Sequence, residues 1–135
     1  DERDKVRRAY VAPIKEKIEL LGRLVFDESF VVELDDELQI ASRTEKGVTV
    51  PFASLSAGTR EQLSLIFRLA CAIIVAKDSG TPLILDDALG YTDPERLKLM
   101  GAALAKAAKE CQIIIFTCVP DRYSHIGEAT IVQLR

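Results

Sequence analysis

The sequence predicts an α/β fold in which parallel strands alternate with helices, and three observations support that prediction. Two short apolar runs, at 83–86 and 112–117, have the length and composition of strands buried inside a parallel sheet. Between them, Asp93-Pro94 places an N-cap residue before a proline at the first helical position, which starts a helix to about residue 110. A long apolar helical pattern over 59–77 precedes the first run. This order of strand, helix and strand is typical of the crossover unit in a parallel sheet.

The first 25 residues are predicted to form a helix that precedes this unit. Apolar residues recur at spacings of three and four: Val6, Tyr10, Ile14, Ile18 and Leu21. Pro13 lies inside the pattern and is expected to kink or restart the helix, and Gly22 is a candidate for its end. The abrupt charged start suggests a segment of something longer. We therefore divide the chain into a helical segment, 1–25, and a lobe, 26–135.

A small β-hairpin is predicted after this helix. Residues 30–34 and 38–42 are rich in strand-forming residues, and Asp35-Asp36 between them is typical of a turn. A further short strand is expected at 48–50, and a last strand at 130–134 after an irregular piece. The lobe would then combine parallel strands and helices with a small antiparallel element.

Composition limits the classes of protein that remain. The chain has 135 residues, 48% hydrophobic and 29% charged, which is enough for one domain with a core. No apolar run reaches the roughly 18–20 residues of a membrane span, and the charged start has no signal-peptide core, so a cytoplasmic location is predicted. The net charge of −3 gives no support to nucleic-acid binding by bulk attraction. Cys71, Cys111 and Cys118 form no close pair, which favours reduced thiols over a zinc site.

Two adjacent carboxylates, Asp86 and Asp87, follow the first apolar run directly. A buried parallel strand that ends in an acid places it at the carboxyl edge of the sheet, where ligands bind in open α/β folds. In phosphoryl-transfer sites such an acid holds Mg²⁺, and a neighbouring carboxylate orients water. The alternative is a pair of loop acids that turn the chain.

The stretch Leu55-Ser56-Ala57-Gly58-Thr59 opens directly onto the long helix. Its backbone N–H groups are little shielded by side chains, and the free N–H groups and dipole of a helix N-terminus attract anions. A γ-phosphate would suit this turn. The alternative is a plain helix start, with Ser56 or Thr59 as the N-cap residue.

Together, these motifs resemble the second half of an ABC-type ATPase head of the SMC-like repair family, which includes SbcC and YhaN-type proteins. Residues 55–59 look like the family's signature motif, and 83–86 looks like its Walker B strand. Tyr91-Thr92-Asp93 is similar to the D-loop, with Asp93 as its terminal acid. The resemblance covers roughly residues 30 to 135 and implies a P-loop NTPase-like C-terminal half-domain. It also implies that residues 1–25 are the end of a coiled coil, although an ordinary surface helix is the alternative.

Three positions depart from the family pattern. No Gly-x-x-x-x-Gly-Lys-Ser/Thr occurs, so the phosphate loop is absent from this sequence; in the family it lies far upstream. Val119 stands where the family carries a switch histidine, which removes one polar contact with the γ-phosphate. Asp87 stands in the place of the usual catalytic glutamate and reaches about one carbon less far.

The resemblance implies roles for individual residues and partners for the chain. Asp86 would hold Mg²⁺, and Asp87 would polarise the attacking water. Ser56, Ala57, Gly58 and Thr59 would contact ATP bound to a second head, in trans. The partners would be the N-terminal Walker A lobe of the same protein, a second head in a homodimer and, by family resemblance, DNA. As an isolated fragment the chain is expected to have no ATPase activity.

Three other functions stay open. The chain could belong to another ABC branch such as a transporter, to a degenerate nucleotide-dependent dimerisation module without turnover, or to a small unrelated α/β enzyme that uses Asp86 and Asp87. Val119 favours the degenerate module. Two arginines have interpretations of their own: Arg60 is a candidate for phosphate contact or for coupling to the coil, and Arg68 is expected to pair with a buried acid.

Overall fold

The computed structural model describes residues 2–134 and confirms an α/β architecture. The helices are α1 (Glu2–Val25), α2 (Ala57–Ser79) and α3 (Pro94–Ala107). The strands are β1 (Val31–Leu34), β2 (Ile40–Glu45), β3 (Val48–Pro51), β4 (Leu83–Asp86) and β5 (Ile113–Phe116). Short 3₁₀ turns lie at Phe52–Ser54 and Pro120–Tyr123. Within the described residues, no helix is both long and apolar enough to cross a membrane.

Helix α1, Glu2–Val25, agrees with the helix predicted for the first 25 residues, but two details inside it differ from the prediction. Pro13 is exposed inside it and does not restart it, because the turns that follow are buried against α2 and α3. Gly22 does not end the helix, which continues to Val25. A Cβ atom at Gly22 would overlap the ring of Phe30, so this glycine serves the close packing of α1 against the segment that leads into β1.

The predicted hairpin is part of a three-stranded antiparallel sheet in the order β1-β2-β3. The turn between β1 and β2 forms as expected, because one carboxylate oxygen of Asp35 accepts hydrogen bonds from the N–H groups of Glu37 and Gln39. Val32 on β1 is buried and lies opposite Arg43 on β2. This sheet packs against α1 through β1.

Strands β4 and β5 form a separate parallel pair, with Leu83 opposite Ile113 and Asp86 opposite Phe116. Helix α3 connects them, and the predicted start is confirmed: Asp93 is the N-cap residue and Pro94 the first helical residue. The core lies between the three helices and β4. Its fully buried side chains include Ile18, Leu21, Leu63, Ile66, Leu69, Ile73, Leu85 and Met100.

Two sequence predictions about this part of the chain are wrong. The strands β4 and β5 are not buried on both faces, since Leu85 is buried while Ile84 is 51% and Phe116 45% exposed. In the described chain, helices cover one face of the two-stranded sheet. The stretch 130–134 is not a strand, because no described strand pairs with it and its apolar side chains are exposed.

Candidate functional site

The N-terminus of α2 is capped by a serine. Ser56 adopts an extended conformation, its Oγ accepts a hydrogen bond from the N–H of Thr59 at 3.2 Å, and its hydroxyl also contacts the Thr59 hydroxyl at 2.9 Å. The alternative of an ordinary N-cap is therefore what the structure shows for Ser56. The N–H groups of Ala57 and Gly58 come next, and as the first residues of α2 they have no carbonyl acceptor in a preceding helical turn. Two donors therefore remain for an anion.

A shallow cavity of about 320 Å³ opens beside these donors. We call it the α2 depression. Helix α2 lines one side, the loop between β4 and α3 lines another, and α3 contributes one arginine; the lining residues are Ser56, Gly58, Thr59, Gln62, Tyr91, Asp93 and Arg96. The structure thus brings together three of the four predicted signature residues and the predicted D-loop acid. The fourth, Ala57, is exposed at the first position of α2.

Side-chain hydrogen bonds fix the loop against α2. Glu61 accepts from the N–H of Tyr91 at 3.1 Å and from the hydroxyl of Thr92 at 3.2 Å. Gln62, which is 2% exposed, donates to the Thr92 hydroxyl at 3.3 Å and accepts from Arg96 at 3.1 Å. The sequence analysis assigned no role to Glu61, Gln62 or Arg96. The position of Gln62 among apolar residues of the helix could have indicated a buried amide that needs hydrogen-bond partners.

The backbone of the loop also touches α2 directly. A Cβ atom at Gly58 would lie 2.8 Å from the carbonyl oxygen of Tyr91, closer than real side chains come. The carboxylate of Asp93 has a structural role, since it caps α3 by accepting a hydrogen bond from the N–H of Arg96 at 3.0 Å. The α2 depression is therefore formed in the chain itself, without a ligand.

Arg96, on the wall of this depression, has a second arginine near it. The Arg96 guanidinium lies over the ring of Phe26, 4.6 Å from its centroid. Burial, and then repulsion from Arg96, lower the pKa of Arg43, which pairs with Glu45. Arg43 is neutralised by its pairing with Glu45, so the groups at the depression that favour an anion are the Arg96 guanidinium and the N-terminus of α2.

The predicted carboxylates stand at the other end of the same loop. Asp86 is the last residue of β4, and Asp87 extends the pairing with β5 by donating its N–H to the carbonyl of Phe116 at 2.8 Å. Both residues are exposed at the carboxyl edge of the parallel pair, as expected from the sequence. Asp87 has a positive φ of 51°, which turns the chain away from the strand direction at this point.

Asp87 has two side-chain partners, neither of which the sequence reasoning identified. Its Oδ1 accepts hydrogen bonds from Nη1 of Arg122 at 3.1 Å and from the hydroxyl of Thr117 at 3.3 Å. Tyr123 beside them donates its hydroxyl to the carbonyl of Ala88, and burial, partly offset by Arg122, raises the pKa of this tyrosine. We call Asp86, Asp87, Thr117 and Arg122 the carboxylate edge.

Val119 lies next to this edge, on the segment after β5. Its side chain is 42% exposed, and its N–H donates to the Thr117 hydroxyl at 2.9 Å. An isopropyl group offers no hydrogen bond, so this position cannot contact a phosphate through its side chain. His125, the single histidine, is exposed, and its backbone packs against Gly101 of α3.

The two arginines of α2 also have defined environments. Arg60 is exposed in the first turn. Arg68 does not pair with a buried acid, so that prediction is wrong: it is exposed and donates to the carbonyl of Ile84 at 2.7 Å. The pairing of β4 with β5 places the Ile84 carbonyl on the other edge of β4. Arg68 therefore satisfies a backbone acceptor on an edge of β4 that no other strand of residues 2–134 pairs with.

Comparison with solved structures identifies the fold of this chain. A solved structure from work on ATP-driven dimerization and DNA-stimulated activation of SMC ATPases superposes with a TM-score of 0.70 at 15% identity, covering 97% of this chain and 83% of that one. The chain therefore has the fold of an SMC ATPase head half-domain. No model of a known protein family matches it.

Sequence relatives extend the comparison. The uncharacterized protein Rv1278 of Mycobacterium tuberculosis is 46% identical over 132 residues, which are 98% of this chain and 15% of that protein. The uncharacterized protein YhaN of Bacillus subtilis is 34% identical over 98 residues, which are 72% of this chain and 10% of that protein. The chain thus spans about 15% of the length of the first curated relatives that it matches.

Proposed function

We propose that the chain is the C-terminal lobe of an SMC-like ABC ATPase head, which binds and hydrolyses ATP where two heads meet. The observation that carries this proposal is the separation of two preformed groups along one loop. Free N–H donors and the guanidinium of Arg96 lie at the α2 depression, and two exposed carboxylates lie at the other end of the 87–93 loop. No residue belongs to both the α2 depression and the carboxylate edge. This separation is what we expect if each of them contacts a different ATP molecule.

At the α2 depression the chain's role is to bind an anion. The N–H groups of Ala57 and Gly58 would donate to γ-phosphate oxygens of ATP held by a partner head, in trans. Ser56 and Thr59 shape this turn through their mutual hydrogen bonds. The network around Gln62 and Arg96 fixes the wall that faces the phosphate.

At the carboxylate edge the chain's role is to orient the attacking water. Asp87 is the residue for this task, because its side chain is 53% exposed and close to the strand end. Asp86 is exposed and makes no side-chain hydrogen bond within residues 2–134, so it is available as a ligand. Asp86 would serve as the carboxylate ligand of Mg²⁺, which needs one or two such ligands besides phosphates and waters. The described residues hold no group of three or more potential metal ligands. Bound there, Mg²⁺ would neutralise phosphate charge.

The Walker A lobe of the same protein is the proposed partner within one head. Three observations support it: the outer edge of β4 is unpaired in the described chain, Ile84 and Phe116 are half exposed, and an apolar groove of about 300 Å³ follows α2 and β4. Residues of the groove include Phe67, Cys71, Val75, Pro82 and Leu83. Residues 1–25 would continue into the coiled coil that joins the two lobes.

A mixing experiment with the whole protein tests the head-to-head site. Ala57→Glu places a negative charge where the phosphate would lie, yet acidic residues suit the first turn of a helix, so the fold should tolerate it. Asp87→Asn removes the water-orienting carboxylate. We expect each variant alone to lose about 100-fold in ATPase kcat, while Ala57→Gln, the neutral control, stays near wild type.

Mixing the two defective variants should restore about a quarter of wild-type activity, since half of the dimers are mixed and each holds one intact site of two. Failure to recover activity, with subunit exchange verified, contradicts a shared site. The 135-residue chain alone should show no Mg²⁺-dependent ATPase activity, because the phosphate loop is missing from it.

The second candidate is a nucleotide-dependent dimerisation module without turnover, and Val119 favours it because the position lacks a polar side chain. Dimerisation on ATP addition with no phosphate release by the wild-type protein would select this candidate. DNA repair or chromosome maintenance is proposed for the whole protein by resemblance. Its test is stimulation of the wild-type ATPase rate by DNA, and the net charge of −3 of this chain gives that function no support by bulk attraction.

A further inference from the structure

Arg122 reaches back from the turn after β5 to the carboxylate edge. It lies in the 3₁₀ turn Pro120–Tyr123, and its side chain is 20% exposed. Nη1 donates to Oδ1 of Asp87 at 3.1 Å and lies 3.4 Å from the carbonyl oxygen of Ala88. One guanidinium nitrogen therefore joins the carboxylate of Asp87 to the backbone of the next residue.

Asp87 is held from three directions, and one of its oxygens stays available. The N–H is bound to Phe116, and Oδ1 accepts from both Arg122 and Thr117. Oδ2 has no hydrogen-bond partner within residues 2–134, and the side chain is 53% exposed. The arrangement fixes the rotamer through one oxygen and leaves the other to solvent, as a group that orients a water molecule requires.

The surrounding charges explain why such support is needed. Asp87 is adjacent to Asp86, and two neighbouring carboxylates repel unless a cation lies close to them. The guanidinium of Arg122 is the only cationic group paired with either acid in the described part of the chain. Val119, on the same segment, has no polar side chain to assist.

We propose that Arg122 is a positioning residue for hydrolysis, which acts through Asp87 by fixing Oδ1 and directing Oδ2 at the attacking water. This inference rests on the proposed ATPase function. The turn that carries Arg122 is itself fixed, because the neighbouring Tyr123 hydroxyl is bonded to Ala88 and the backbone of His125 packs against Gly101 on α3. Arg122 thus contributes orientation, whereas Asp87 would contact the water.

The test uses the whole protein and separates kcat from KM. Arg122→Ala should lower ATPase kcat by roughly 10- to 100-fold, because a misplaced catalytic group costs about that much. The KM for ATP and ATP-dependent dimerisation should stay within about twofold, since no binding contact is lost. Arg122→Lys keeps the charge but not the planar guanidinium, and it should recover part of kcat.

A double-mutant cycle decides whether Arg122 acts through Asp87. In Asp87→Asn protein, adding Arg122→Ala should change kcat by less than about twofold, because the residue that Arg122 positions is already lost. Independent, multiplicative losses would overturn the proposal. Arg23→Ala is the matched control: Arg23 also donates to a backbone carbonyl, that of Phe30, and pairs with Glu19, and its loss should leave kcat unchanged.

The remaining outcomes are also decisive. If Arg122→Ala lowers Tm and abolishes dimerisation together with kcat, while Arg122→Lys restores all three equally, Arg122 is structural and the proposal falls. Wild-type kcat in Arg122→Ala overturns the positioning role and leaves the ATPase function standing. A wild-type protein without turnover overturns the ATPase function, and the positioning role with it.

Discussion

The α2 depression and the carboxylate edge lie at the two ends of one loop, yet they are built differently. At the depression, buried Gln62 and the carboxylate of Glu61 hold the loop to α2 through side-chain hydrogen bonds. At the edge, Asp86 has no such partner within residues 2–134, and β4 exposes Ile84. The depression is thus fixed by several side chains, whereas at the edge Asp87 alone of the two acids has side-chain partners among the described residues. In the proposed function, the depression meets a partner head and the edge serves the ATP of its own head.

The largest expected effect compares the two faces of β4. Leu85→Ala in the 135-residue chain should lower the free energy of unfolding by about 2–5 kcal/mol, because Leu85 is fully buried. Ile84→Ala should cost less than about 1 kcal/mol in the same chain, since its side chain is 51% exposed. Urea unfolding of both variants measures this contrast.

The same pair in the whole protein sharpens the comparison. If a further lobe covers the outer face of β4, the cost of Ile84→Ala should rise toward that of Leu85→Ala. An unchanged, small cost in the whole protein means that the outer face of β4 is open to solvent there as well. It would remove the main support for the partner lobe.

Gly58→Ala tests whether the α2 depression is as tightly closed as its contacts indicate. The added methyl group would lie 2.8 Å from the carbonyl oxygen of Tyr91, and we expect a loss of about 1–3 kcal/mol in unfolding free energy. Gly90→Ala, in the same loop, is the control, because a Cβ atom there meets nothing within 4 Å. Equal effects of the two substitutions would mean that the loop is not packed against α2.

Gln62→Leu removes the hydrogen bonds that join α2 to Thr92 and Arg96. Its expected cost is about 1–2 kcal/mol, lower than a core deletion because leucine retains apolar packing. Gln112→Leu is the control, since Gln112 is exposed, and it should change stability by less than about 0.5 kcal/mol. Thermal unfolding of both variants gives the comparison, and no difference between them would show that the network does not stabilise the loop.

Residue patterns within one or two turns predicted the helices and most strands of this chain. The features that were not predicted depend on contacts between residues far apart in the sequence. The N-cap and proline at 93–94 act within one turn, so the start of α3 was predictable. The partners of Asp87 were not, because Arg122 lies 35 residues away and reaches the site only through the pairing of β4 with β5. Gly22 was misread for the same reason: its role is set by Phe30 on a different segment.

Burial was the least predictable property. The apolar run at 83–86 has the composition of a strand that is covered on both faces. That composition shows that both faces can be packed against other elements, but it does not show that residues 2–134 contain an element for each face. The run at 130–134 shows the same limit, since strand-forming residues need a neighbouring strand edge. Arg68 shows the same limit, because its partner is the Ile84 carbonyl on the outer edge of β4 and not the predicted buried acid.

The smallest perturbation is chemical labelling of the native cysteines, which reports on the exposure of the carboxylate edge. Cys118 is exposed on the segment that follows β5, beside Thr117, whereas Cys111 is buried and Cys71 partly buried. Burial raises the pKa of the Cys71 and Cys111 thiols, and for Cys111 the charge of Glu110 adds to it. A raised pKa means less thiolate at a given pH, so alkylation near pH 8 should modify Cys118 first. Mass spectrometry of the labelled chain gives the order, and slower labelling of Cys118 in the whole protein would indicate that another segment covers the carboxylate edge.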